Sequence, residues 1–174
     1  MKLAITLFGL LVATNSFAAT RSTELFAPKP SYHSGVSIGA MGGLVTAGGN
    51  YGGNFLLQMT VPVSKASPVR LGLDTGVMFS KGVSLPILVT MVFDIVTTVR
   101  NISPYVGGSV GPVIGLSSNA GDAVFGDGIK LGILVRPGIN FGLTDNLNLN
   151  VELQTGGLTG IFYISPSLGL QLKV

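Results

Sequence analysis

From about residue 32 to its end this chain alternates apolar and small or polar residues with a period of two, and that pattern dictates strands with two chemically different faces. The last segment is clearest. Phe162, Ile164, Pro166, Leu168, Leu170, Leu172 and Val174 share one face, and Tyr163, Ser165, Ser167, Gly169, Gln171 and Lys173 the other. Before it, Leu147, Leu149, Val151 and Leu153 oppose Asn146, Asn148, Asn150, Glu152 and Gln154. Over 130–142, Leu131, Ile133, Val135, Ile139 and Phe141 oppose Lys130, Gly132, Arg136, Gly138, Asn140 and Gly142. The same scheme predicts strands around 35–40, 54–61, 70–79 and 105–115. Segment 84–96 (SLPILVTMVFDIV) is apolar on both faces, but Pro86, Asp94 and its β-branched residues make it a strand rather than a helix. Eight strands of roughly 9–13 residues result, the length a tilted strand needs to cross a bilayer.

Which face is wet decides the class. A soluble barrel points its apolar face inward and its charges out. Here one face is continuously Leu, Val, Ile and Phe, while the other is Gly, Ser and Asn with the ionisable residues Arg70, Asp74, Asp94, Lys130, Arg136, Glu152 and Lys173. The apolar face belongs against lipid, and the small face fills a narrow interior. The bulk numbers agree. Mean hydropathy is +0.62 and only 10% of residues are charged, yet no stretch reads as a long, charge-free membrane helix. The expected fold is an all-β, eight-stranded antiparallel up-and-down transmembrane β-barrel over residues 32–174. Its presumed periplasmic links are 64–68, 97–102 and the tight turn 143–145. Its presumed external loops are 45–53, 80–83, 116–129 and 156–160, of which only 116–129 is long.

The N-terminus reads as an export address. Lys2 precedes the apolar run 3–13, and Ser16-Phe17-Ala18 places small residues where a signal peptidase reads them, so residues 1–18 are expected to be a signal peptide. Residues 19–31, polar and carrying two prolines, are expected to be a periplasmic tail. With no Cys there is no disulfide, thiolate metal site or lipoprotein anchor. The ten basic residues are scattered, which gives nucleic-acid binding no footprint.

Segments ISPYVGGSVGPVIG (102–115), LGILVRPGINFGLTDNLNLNVEL (131–153) and ISPSLGLQLKV (164–174) resemble the small outer-membrane β-barrel superfamily of OmpA, OmpX and OmpW type. The resemblance implies an outer-membrane location, with outer-membrane lipids and lipopolysaccharide as surroundings. It also implies delivery by the barrel assembly machinery, which in such barrels reads the final strand. Ser167, Gly169, Leu172 and Val174 match the spacing of that assembly signal, although Val174 stands where the family prefers an aromatic. The family's aromatic girdles are thin here: Trp is absent, and Phe55, Phe79, Phe141 and Phe162 are the candidates. Four prolines, Pro86, Pro112, Pro137 and Pro166, fall inside strands, where each removes a ladder donor.

The candidate functional feature is a lumen charge network: Arg70, Asp74, Asp94, Tyr105, Lys130, Arg136, Glu152, Tyr163 and Lys173. If 143–145 closes a hairpin, Arg136 lies directly opposite Glu152, close enough for an ion pair. Tyr105 and Tyr163 point inward and are placed to hydrogen-bond carboxylates such as Asp94 and Glu152. An eight-stranded interior barely holds its own side chains, so the network is expected to close the lumen rather than line a pore. Catalysis finds no support. The single histidine, His33, stands at the start of the first strand beside Ser34, and adjacency alone makes no triad. No cofactor is implied, and no His or carboxylate cluster has metal-ligand spacing. Asp122 and Asp127 read as solvated loop carboxylates. The expected role is a structural envelope barrel. The alternatives are a narrow channel or carrier for small or apolar solutes, as the OmpW likeness implies, and surface adhesion through loop 116–129. The oligomeric state has no signature in the sequence.

Overall fold

The computed structural model describes residues 35–64, 67–80, 82–97, 99, 101–116, 128–158 and 160–174. The expected signal peptide, the tail 19–31, His33, Ser34 and most of loop 116–129, with Asp122 and Asp127, lie outside them. Eight strands follow in order: β1 (Ser37–Ala47), β2 (Asn50–Pro62), β3 (Val69–Phe79), β4 (Val83–Asp94), β5 (Ile102–Gly115), β6 (Gly128–Gly142), β7 (Leu147–Leu158) and β8 (Ile161–Lys173). Each pairs antiparallel with its sequence neighbour, and β1 pairs with β8, so the sheet closes on itself. The fold is the eight-stranded up-and-down barrel the alternation predicts. Both termini of the barrel leave from one end, called here the terminal end. The β1–β2, β3–β4, β5–β6 and β7–β8 connections lie at the other, the distal end.

The register defines how wide the barrel is. Passing from Ser37 to Thr60, Gly72, Thr90, Ser109, Leu134, Gly156 and Tyr163, the ladder returns to β1 at Ala47, ten residues from where it began. Eight strands with that stagger tilt by about 40° and enclose a space that side chains alone fill. One row around the barrel therefore climbs from the terminal end of β1 to its distal end.

Burial follows the same alternation but is inverted relative to a soluble protein. Arg70, Asp74, Asp94, Arg136 and Glu152 are buried, while Leu57, Leu73, Val89, Ile133, Leu168 and Leu170 are each about half exposed on the outer face. Among the described residues no charged side chain stands on the outer face of a strand. Exposed Phe55, Phe79 and Phe162 stand on that face with Tyr51, and Phe141 is half-buried. Water would leave this surface exposed at large cost, and a bilayer removes that cost.

Three loop boundaries differ from expectation. Segment 45–53 is strand almost throughout: β1 runs to Ala47 and β2 starts at Asn50, with Gly48 and Gly49 forming a two-residue turn at φ 54° and 80°. Glycine supplies the left-handed conformation this turn needs, so glycine-richness here marks a tight hairpin and not a long loop. Segment 156–160 contracts likewise, since Leu158 pairs with Ile161. The turn after β6 is longer than expected. Leu143–Asn146 separates β6 from β7, Gly142 pairs with Asn148, and Thr144 Oγ1 accepts from the Leu147 amide at 3.1 Å.

The four expected intrastrand prolines are accommodated by gaps in the ladder. Pairing skips two positions beside Pro86 between β3 and β4, beside Pro112 between β4 and β5, beside Pro137 between β6 and β7, and beside Pro166 between β1 and β8. The missing N–H is the reason at each position.

Candidate functional site: the lumen network

The alternation carries seven of the nine expected network residues to buried lumen positions on six strands, β3 to β8. Lys130 and Lys173 have the same parity but are half-buried, near the distal and terminal ends respectively. The seven buried residues form three linked groups.

Nearest the terminal end, Arg70 on β3 grips Asp94 on β4 with both faces of its fork, Nε to Oδ2 at 2.9 Å and Nη2 to Oδ1 at 2.6 Å. Two parallel charge-assisted bonds fix the plane of the guanidinium, which also donates to Thr60 and lies 5.8 Å from the centre of the Tyr105 ring. Tyr105 carries the connection across β6 to β7. Its hydroxyl donates to Glu152 Oε2 at 2.6 Å and accepts from Asn150 Nδ2 at 2.8 Å. Gly138 makes this reach possible. It is the β6 residue paired with Tyr105, and a Cβ there would overlap the phenol ring and its oxygen.

At mid-height Arg136 on β6 is the hub. Its Nε and Nη2 donate to Glu152 Oε1 at 2.8 and 2.7 Å, and its Nη1 donates across the lumen to Asp74 Oδ2 on β3. The same nitrogen donates to Ser109 Oγ at 3.0 Å, and Thr90 donates to Asp74 Oδ2 at 2.7 Å. Arg136 is not directly opposite Glu152. The longer turn 143–146 shifts the register, so Glu152 pairs with Gly138. The ion pair forms diagonally, because the arginine side chain spans the two-residue offset.

Tyr163, fully buried, meets no carboxylate. It donates to Gln154 Oε1 at 3.2 Å and accepts from Asn54 Nδ2 at 3.0 Å. Between the Arg70 and Arg136 groups a gap of about 10 Å³ remains, room for a single water, with Gln58, Asn150 and Gln171 completing its wall. The sequence reading missed a further feature. From mid-height toward the distal end the lumen holds an apolar cluster, Val45, Ala47, Met78, Leu88, Val113, Leu134 and Leu158 around Tyr163, with buried Asn54, Ser80 and Ser84 also in the distal half. The alternation put Met78, Val113 and Leu134 on the inward side, but Val45, Ala47 and Leu158 fell in expected loops, and the height at which all of them meet was not legible.

The terminal-strand residues divide by face. Ser167 points inward against Ser165, and Gly169 lets β8 approach Met41 so closely that a Cβ would overlap it. Leu172 and Val174 point outward and are exposed.

The arrangement defines a class: a closed transmembrane barrel, apolar outside and charge-paired inside, of the kind built into bacterial outer membranes. Comparison with solved structures agrees on the fold. Neisserial surface protein A is similar over 81% of this chain and 98% of its own, with a TM-score of 0.66 and 16% identity. The N-terminal barrel domain of Pseudomonas aeruginosa OprF is similar over 82% and 98%, with 0.65 and 14%. The outer-membrane enzyme PagL is similar over 79% and 99%, with 0.53 and 15%. No protein-family model and no curated protein matches the sequence. One architecture thus carries a surface protein, a barrel domain and an enzyme, so function must be argued from this chain's own residues.

Proposed function

We propose that the chain is a structural barrel of the outer membrane whose lumen is closed by its own side chains. The observation that supports this is the filling of the interior. Inward residues from all eight strands are buried, the buried charges are paired across and along the wall, and the gap between the Arg70 and Arg136 groups holds about one water. An open pore leaves its lining charges solvated, as selectivity rings are; here the charge-bearing side chains of Arg70, Asp74, Arg136 and Glu152 are 1–3% exposed. The exposed apolar belt supports bilayer residence, and the shared end of both termini supports their facing the periplasm, the side from which such chains are assembled. Residues 1–18 then act as the export signal, and the final strand with Ser167, Gly169, Leu172 and Val174 as the segment the assembly machinery reads. Lipid and lipopolysaccharide are the surroundings, and no catalytic or cofactor-dependent step is assigned.

Two measurements test the reading. Outer-membrane extracts should contain a band that shifts on boiling, as folded barrels do. Purified protein in planar bilayers should show no reproducible openings. Discrete openings of constant size would replace the structural reading with that of a narrow channel.

A further inference from the structure

The apolar columns on the outer face do not stop where the strands do. Strands β2, β4, β6 and β8 run toward the terminal end, and each continues its outward alternation one position further. Val63 follows Val61, Ile95 follows Phe93, Leu143 follows Phe141 and Val174 follows Leu172. These four aliphatics are 45–75% exposed. Coming from alternate strands of a closed sheet, they stand at even intervals around the terminal rim. In the β4–β5 connection, exposed Val96 and Val99 widen the same surface.

All four are held alike. Each amide donates to a carbonyl on the neighbouring strand or just before it: Val63 to Val69, Ile95 to Pro104, Leu143 to Leu147 and Val174 to Val36, at 2.8–3.0 Å. The ring therefore extends the wall and leaves none of its own N–H groups bare. Hydrocarbon demands that pairing, because it offers an unpaired N–H no partner. Directly beyond Val63 and Leu143 the chain turns polar, with exposed Ser64 and Thr144.

Strand geometry sets the scale. Tyr51, Phe79 and Phe162 are exposed near the distal end, at roughly one level once the tilt is allowed for, and such aromatics mark a membrane interface. Tyr51 to Val61 and Phe162 to Leu172 are each ten residues. At about 3.3 Å per residue and a tilt of about 40° they cover about 25 Å of height, the apolar band usual for such barrels. Val63 and Val174 lie about 5 Å further on.

The ring is continuous with the lipid-facing belt and shares its chemistry, and that continuity decides its occupant. We infer that the terminal rim is a phospholipid-binding collar in which Val63, Ile95, Leu143 and Val174 sit among acyl chains of the leaflet on that side. The bilayer contact then spans about 30 Å and covers the start of the terminal turns. The inference rests on the bilayer-resident reading of the barrel. The collar fixes how deep the barrel sits, since lifting it out would bring four aliphatics into water together. It also gives Val174 a role, as one of four matching rim positions.

Tryptophan fluorescence tests the collar directly, because the chain has no tryptophan of its own. Single-tryptophan variants are folded into vesicles of phospholipid alone, each verified by its shift on boiling. The collar is read by Val63→Trp, Ile95→Trp, Leu143→Trp and Val174→Trp, the wall by Leu168→Trp, and an exposed polar turn by Asp145→Trp. The expected result at all four collar sites is blue-shifted emission, quenching by lipids brominated on the acyl chain near the headgroup, and acrylamide quenching severalfold weaker than at Asp145. A collar reporter as open to acrylamide as the Asp145 site overturns the inference and leaves the ring as a surface for a protein partner. If Leu168→Trp is equally open, the bilayer-resident reading falls with it. Should tryptophan at a collar site prevent folding, cysteine at that site, labelled after folding with a small environment-sensitive dye, gives the same readout, since the chain has no native cysteine.

Discussion

Arg136→Met is the most informative single change in the barrel. The native guanidinium serves two carboxylates on opposite sides of the lumen, Glu152 through two nitrogens and Asp74 through the third. Methionine fills much of the same volume, so the change is chiefly one of charge. It leaves Asp74 and Glu152 buried at 0% and 4% exposure, held by Thr90, Tyr105 and Gln154 but with no counter-charge beside them. Removing one partner of a buried pair costs about 3–5 kcal/mol. With a urea slope of about 2 kcal/mol per molar, the midpoint of unfolding should fall by roughly 2 M. The chain has no tryptophan, so the midpoint is best followed by the heat-shifted gel band and by far-ultraviolet circular dichroism in lipid vesicles. Adding Asp74→Asn and Glu152→Gln removes the stranded charges and should restore more than half of the lost midpoint. A single variant within about 0.5 M of the parent, a shift of only about 1 kcal/mol at that slope, would refute the view that this arginine neutralises two buried carboxylates. So would a triple variant no more stable than the single.

The remaining predictions probe other parts of the fold. Gly138→Ala should displace the Tyr105 ring from Glu152, because the added methyl overlaps it, and lower stability by about 1–3 kcal/mol in the same titration; in a Tyr105→Ala background, where the ring is gone, the same change should cost little more. Gly49→Val, at φ 80°, should lower stability by about 1–2 kcal/mol and slow appearance of the heat-shifted band during refolding, whereas valine at Gly157 on the lipid face, where nothing crowds a Cβ, should not. Leu168→Arg, on the outer face near mid-strand of β8, should cost about 2–4 kcal/mol in bilayers and far less in detergent micelles. Equal effects in both media would argue against a membrane-facing belt.

The class of fold was written in the alternation itself. A period of two with charges confined to the small face leaves a strand only one way to lie in a bilayer, so the strand count and the inward direction of Arg70, Asp74, Asp94, Tyr105, Arg136, Glu152 and Tyr163 could be read residue by residue. Parity, however, says which side of the wall a residue occupies and nothing about its height. Height depends on turn lengths and on the ten-residue stagger, which no single strand encodes. The turn at 143–146 moved Glu152 from opposite Arg136 to opposite Gly138, and only the reach of the arginine preserved the pair. Tightening Gly48-Gly49 into a hairpin turned Val45 and Ala47 from expected loop into lumen lining. Asp74, 62 residues from Arg136, became its partner solely because the closed sheet brings β3 across from β6. The sequence therefore determined two faces and a membrane barrel; only closure of the sheet decided which inward residues meet, joining the charges into pairs across the lumen and Val45, Met78, Leu134 and Leu158 into one apolar cluster.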